Sequence, residues 1–386
     1  MTQPGSRHIA VIGVSHPYRG GIAHYSTLFV RTLRQKHRVS FINFTRQYPK
    51  LLFPGKTQLD DSSEPMLEPN ERCVDSLNPV SWLRTAAMLN QRAPDLIVIQ
   101  WWHPFFAPAF GTIVRRLNPA LRSRVVFLCH NVLPHEASPM QKALTRFAFG
   151  DARYFIVHSE EDSRRLQALR PAAIIAKGHH PTYAELGTGK PHTKQEARRA
   201  LGISEERKTL LFFGLIRPYK GLRHLIEAMR RVSAELDCQL VVAGEFYEDK
   251  RPYLELIEKL ALGQKIHVVD RYIPNEDVAL FFTAADVVVL PYVSATQSGI
   301  VQIAFGLERP VISTNVGGLP EAVDHGKTGL LVEPQDPERL AAAILEYFRL
   351  EMEPRFAAEI RRQKGRFDWS QALDHVDEFL RRSAAA

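Results

Sequence analysis

The chain has 386 residues, 45% hydrophobic and 24% charged, with a formal charge of +8: ordinary globular material, long enough for two domains with separate cores. Its three cysteines, Cys73, Cys129 and Cys238, are an odd number without CxxC spacing, which excludes a disulfide framework and a cysteine zinc site and suits a reducing cytoplasm. Residues 1–190 carry 24 Lys and Arg against 13 Asp and Glu, whereas residues 191–386 carry 26 against 29, so the first half suits a polyanion or an anionic membrane surface.

Met1 leads into an apolar run too short for a signal peptide, and no later stretch reaches the roughly 20 apolar residues that a spanning helix needs. Membrane contact is therefore expected to be peripheral, on the inner face. His8–Val14 reads as a buried parallel strand, followed by a turn in which Gly20 and Gly21 let backbone amides approach a ligand, and then by an amphipathic helix. The GxGxxG dinucleotide fingerprint is absent, and no acidic residue ends the next strand, His37–Phe44, to take a ribose.

From Thr45 to Asn78 the period breaks; Arg46, Tyr48 and Lys50 suggest either an acceptor-side loop or a surface excursion. A helix about Trp82–Arg92, the strand Asp95–Gln100, a helix around Ala107–Arg116 and the strand Arg124–His130 follow. The aromatic and basic stretch 101–124 fits an interfacial segment or core packing. His130 closes a strand where an open α/β sheet presents ligand groups, and His135 follows on the loop. After the strand Arg153–His158, Ser159 reads as the N-cap of a helix with an acidic first turn. Loss of period in residues 178–193 marks a boundary, giving domains of 1–185 and 186–368.

Beyond the boundary, the strand Lys208–Phe213 ends at Gly214, a basic loop carries Arg217 and Lys220, and a helix opens near Gly221. Cations at the carboxyl end of a strand and beside a helix N-terminus are placed to meet a phosphate. Strands Gln239–Ala243, Lys265–Val269 and Asp286–Leu290 then alternate with helices Pro252–Leu262 and Asn275–Ala284. A Ser/Thr/Gly loop enters a helix from about Gly299, offering a second helix N-terminus to an anion. A strand Pro310–Ser313 and a Gly317-Gly318 turn into a short helix come next, and 336–349, 354–364 and 369–382 read as closing helices.

The segments FFGLIRPYKG, AADVVVLPY and GLERPVISTNVGGLPEAVDHGKTGLLV together resemble the nucleotide-sugar half of the group 1 retaining glycosyltransferases; HPYRGGIAHY and the strand-end histidine carry a weaker match in the first half. The resemblance implies an α/β GT-B fold, two doubly wound Rossmann-like domains facing a central cleft, with residues 369–386 returning to the N-terminal domain. It implies transfer of a hexose-type sugar, with retention, from a nucleoside-diphosphate donor to a glycan or lipid-linked acceptor, the departing phosphate serving as base. No cofactor and no nucleic acid are expected. Arg217 and Lys220 would grip the diphosphate, Thr296, Gln297, Ser298 and Gly299 would add loop amides, Arg271 and Tyr272 would border the base, and His130 would position the sugar or acceptor.

Two departures stand out. Where the family has two glutamates separated by seven residues, this chain has Ser294 and Gln302, and its arginine comes at Arg217 rather than directly after Gly214. Gln302 can bond a ribose diol only as a neutral partner, a weaker bond than a carboxylate makes. The chain has no D-x-D triplet, so metal-independent transfer is expected. Rival expectations are another GT-B reaction, such as nucleotide-sugar epimerisation or transfer to a small soluble acceptor, and a non-catalytic sugar-nucleotide-binding protein.

Overall fold

The computed structural model describes residues 6–53, 55–134, 137–187 and 192–384, and His135 lies outside them. The chain divides into two units: Met1–Asp60 with Pro65–His179 and Trp369–Ala386, and Asp61–Glu64 with His180–Asp368. The divide after His179 precedes the boundary expected at residue 185, because Tyr183 and Ala184 pack against Gly306 of the second unit.

The first unit holds strands His8–Ile12 (β1), Arg38–Arg46 (β2), Glu71–Asp75 (β3), Leu96–Trp101 (β4), Val125–Cys129 (β5), Tyr154–Val157 (β6) and Ile174–Lys177 (β7). They pair in parallel in the order β3-β2-β1-β4-β5-β6-β7. Every residue of β1, β4 and β5 is buried, as continuous apolar runs require when crossover helices cover both faces. Trp101, Trp102, Phe106 and Phe110 belong to that core, so the aromatic stretch takes its packing alternative and does not present these rings to an interface. The closing helix Ser370–Ala384 lies in this unit: Asp377 accepts from His37 at 2.9 Å, and Trp369, just before the helix, packs its ring tilted against Tyr25 at 5.0 Å.

The second unit holds Lys208–Phe213 (β8), Cys238–Ala243 (β9), Ile266–Val269 (β10), Val287–Leu290 (β11), Val311–Thr314 (β12) and Gly329–Val332 (β13), parallel in the order β10-β9-β8-β11-β12-β13. Strand order reverses beside the first strand of each sheet, between β1 and β4 and between β8 and β11, the place where doubly wound sheets open a ligand crevice at their carboxyl ends. The buried Asp286 fixes the second of these pairs. Its carboxylate takes the Thr209 amide at 2.6 Å, Arg198 at 2.8 Å and Lys194 at 2.6 Å, and a buried carboxylate so bonded does not bear an uncompensated charge.

Several elements differ from their sequence expectations. The stretch Thr45–Asn78 contains β3 and a 3-10 turn, Lys50–Leu52; β3 escaped periodicity because it is an edge strand whose only fully buried residue is Val74. The edge strands β7 and β13 also went unanticipated. The helix placed at Trp82 starts at Pro79, where Asn78 caps it by accepting from the Val80 amide and proline occupies the first turn. The N-cap reading of Ser159 agrees with its bond from the Asp162 amide.

Candidate functional site

In the second unit the loops leaving β8 and β11 are stitched together. Val293 N–H donates to Tyr219 C=O at 2.7 Å. Gly221, at φ +67°, lies so close to Pro291 that a Cβ would sit 1.9 Å from its carbonyl oxygen; only glycine adopts this backbone at this contact. Gly214, at φ +98°, has side chains rather than backbone above it: a Cβ there would meet Ile300 Cδ1 at 3.0 Å and Lys220 Nζ at 3.1 Å. The space above Gly214 is thus shared by the Lys220 ammonium and the first turn of the helix Gly299–Gly306.

Lys220 is buried, with its ammonium 5.5 Å from the centroid of the Tyr292 ring. Burial, reinforced by the Arg217 charge, pushes its pKa from 10.5 down to about 8. Arg217 is exposed and lies 5.0 Å over the Tyr247 ring. Neither cation has a carboxylate within 4 Å among the described residues, and both are held by aromatic faces instead. A desolvated cation without a counter-charge is stabilised by an arriving anion, and the buried Lys220 with the exposed Arg217 beside a helix N-terminus suits a diphosphate.

The remaining residues expected at this face divide. Ser298 caps the helix Gly299–Gly306 by accepting from Ile300 N–H at 3.2 Å, and its hydroxyl lies 3.4 Å from that of Tyr292. Thr296 is buried, its carbonyl accepting from Gly318 N–H, and Gln297 is half-buried. Gln302 is 3% exposed, and its Oε1 has no hydrogen-bond partner among the described residues. An orphaned buried carbonyl costs stability unless something fills its lone pair, and a ligand hydroxyl does so. On the loop after β10, Arg271 is committed to Asp277 at 2.9 Å, so it offers no unpaired charge, and Tyr272 is half-buried.

In the first unit Gly20, at φ +109°, precedes the helix Gly21–Arg34, with open space around both glycines. His130 follows β5 and its Nε2 lies 2.8 Å from Gln100 Oε1, which also accepts from Ser26 Oγ at 2.8 Å. Gln100 thereby fixes the orientation of the imidazole. Tyr25 closes one side, its ring edge-on to His130 at 4.6 Å. Sequence reasoning missed Gln100, Tyr25 and Asp162. The last is buried and accepts from Val132 N–H at 3.0 Å, fixing the loop that carries His130, and burial raises its carboxyl from 3.8 to about 6.

The acceptor-side trio is differently occupied. Arg46 makes a bidentate pair with Asp75 at 2.9 and 2.8 Å. Tyr48 stacks on Phe105 at 5.2 Å and accepts from Trp102 Nε1 at 3.1 Å, while Lys50 is exposed on its 3-10 turn. Of the three, Lys50 keeps an ammonium in solvent, and the other two hold the loop.

Residues 207–349 match the family model described as Glycosyl transferases group 1, and residues 19–176 match the one described as Glycosyltransferase Family 4. The D-inositol 3-phosphate glycosyltransferase 1 of Catenulispora acidiphila is 30% identical over 312 residues, 76% of this chain and 73% of that protein. The D-inositol 3-phosphate glycosyltransferase of Geodermatophilus obscurus is 32% identical over 239 residues, 58% of this chain; the match spans about half, 49%, of that relative. The crystal structure of Anabaena HepE in complex with UDP-glucose is similar in fold, with a TM-score of 0.73 at 17% identity, covering 98% of this chain and all of that one. With two Rossmann-like sheets, a phosphate-ready switch point in the second and these matches along both halves, the chain belongs to the group 1 glycosyltransferases of GT-B fold.

Proposed function

We propose that this chain transfers a hexose-type sugar from a nucleoside-diphosphate donor to a glycan or lipid-linked acceptor with retention and without a metal. The observation that carries the proposal is the buried, uncompensated Lys220 beside Arg217 and the helix at Gly299. Charge develops on the leaving diphosphate in such a transfer, and preorganised cations and helix amides stabilise it there. Gln302 supplies a buried acceptor for the ribose, and His130, held in place by Gln100, orients the sugar or acceptor. Support for a nucleotide-sugar donor comes also from the HepE complex with UDP-glucose, and support for a phosphorylated acceptor from relatives named D-inositol 3-phosphate glycosyltransferase. The basic first half suits an acceptor presented at an anionic membrane surface, and no helix among the described residues is long and apolar enough to cross a membrane.

The test is a panel of sugar nucleotides scored by thermal stabilisation, then by release of nucleoside diphosphate and by the anomeric configuration of the product, with and without EDTA. A bound donor at 100 times its dissociation constant adds roughly 2.7 kcal/mol of stability. Loss of transfer in EDTA and its return with manganese contradict metal independence. Ser294 and Gln302, neutral where the family carries carboxylates, favour a second reading, a sugar-nucleotide-binding protein without turnover. Stabilisation by a donor with no release of diphosphate to any acceptor selects it.

A further inference from the structure

A second concavity lies in the first unit, beside the loop that follows His130. It encloses about 400 Å³ between the helices Pro139–Phe149 and Glu160–Leu169 and the chain after β5. Its apolar lining comes from Leu133, Ala168 and Leu169, and its cations are Lys142, Arg146 and Arg165; among the described residues no acidic side chain lines it. Lys142 and Arg146 stand one helical turn apart on the same face, where like charges repel. Among the described residues neither has a carboxylate partner, whereas Arg165 pairs with Glu161 and donates to the Leu133 carbonyl at 3.3 Å. The same helix leaves Met140 68% and Phe147 38% exposed.

We propose that this pocket binds a phosphate group carried on an apolar stem, the phosphate bridging Lys142 and Arg146 and the stem lying on Leu133 and Leu169. An anion between the two cations removes their repulsion and gains charge-assisted hydrogen bonds, and the apolar lining gains by excluding water. Phosphate on an apolar stem is the head of an anionic lipid or a soluble phosphorylated amphiphile, and both present the same group to this pocket. The inference is independent of the donor chemistry above.

The experiment compares octyl phosphate, inorganic phosphate and octyl glucoside by calorimetric titration of the full chain and of a Lys142→Gln/Arg146→Gln variant; both positions are exposed, so the variant keeps its fold. Octyl phosphate is expected to bind the natural chain, inorganic phosphate and octyl glucoside at least tenfold more weakly, and the variant to lose about tenfold per cation removed. UDP affinity of the variant stays unchanged, which separates failure here from failure of the proposed transfer. In a parallel arm, phosphatidylcholine vesicles with and without phosphatidic acid are sedimented with both proteins. Retention that depends on phosphatidic acid and on the two cations identifies a lipid headgroup as source; octyl phosphate binding without vesicle retention identifies a soluble amphiphile. Equal octyl phosphate affinity in the variant, octyl glucoside binding as tight as octyl phosphate, or no binding of either overturns the proposal.

Discussion

Lys220 gives the sharpest test, because the same burial that primes it for an anion costs the unliganded protein stability. Its ammonium is held at about 8 against an ordinary 10.5, mainly by desolvation and then by Arg217. At 1.36 kcal/mol per unit the difference is about 3 kcal/mol, an upper bound on the cost of keeping the charge in the folded chain. The sign follows from proton binding: below about pH 8 the lysine is charged both folded and unfolded, and the cost is complete. Between about pH 8 and 10.5 the folded chain releases its proton first, so stability from this group rises with pH. An anionic ligand acts in the opposite direction, restoring the ammonium and drawing in a proton as it binds.

Two measurements on Lys220→Met, which keeps the stem and removes the charge, therefore have opposite expected signs. Chemical denaturation at neutral pH should find the variant more stable, by up to about 3 kcal/mol. Titration with UDP, and with ADP as a second probe, should find it weaker by at least about tenfold, the worth of one charge-assisted bond. In the natural chain, affinity should be flat from about pH 7 to 8 and then fall by up to about tenfold per unit, with proton uptake visible as a buffer-dependent heat; the variant should show neither. A natural chain whose affinity is constant across that window, a variant that keeps the slope, or a variant less stable than its parent refutes the reasoning.

Gln302→Glu puts a carboxylate where a neutral carbonyl is buried without a partner; thermal unfolding should drop by about 1–3 kcal/mol while nucleotide affinity rises about tenfold, and a loss of both contradicts the ribose assignment. Asp162→Asn preserves the acceptor for Val132 N–H and removes a buried charge. Because burial raises this carboxyl from 3.8 to about 6, its stabilising share is complete below about pH 4 and lost as pH rises through about 6, so the variant should be more stable at neutral pH by up to about 3 kcal/mol and flatter across that window; denaturation curves at acid and neutral pH with an unchanged difference argue against it. Gly221→Ala drives a Cβ to 1.9 Å from the Pro291 carbonyl and should cost about 2–4 kcal/mol along with nucleotide binding. Gly263→Ala, with nothing within 4 Å of the added carbon, is the neutral control.

What the residues disclosed in advance follows from which interactions are local. The cation loop after β8 was legible because an apolar run, a glycine and a helix start lie within one short stretch, and a parallel sheet carries such a loop at its carboxyl edge. The edge strands β3 and β7 were hidden since their pleat is only partly buried, which leaves no apolar period to read. Charge was legible but its pairing was not: the ion pairs of Arg46 with Asp75 and of Arg271 with Asp277 show only in the fold. Distance in sequence hides still more. Ser62 and Ser63, inside the aperiodic stretch, belong to the second unit, where Ser62 Oγ accepts from Asn275 N–H at 3.0 Å and Ser63 donates to Glu276 from 213 residues away. Ser62 thereby caps a helix that begins after a proline unable to cap it by side chain. A long insertion with no period of its own can therefore be ordered by one helix end elsewhere in the chain, and only the folded partner reveals which.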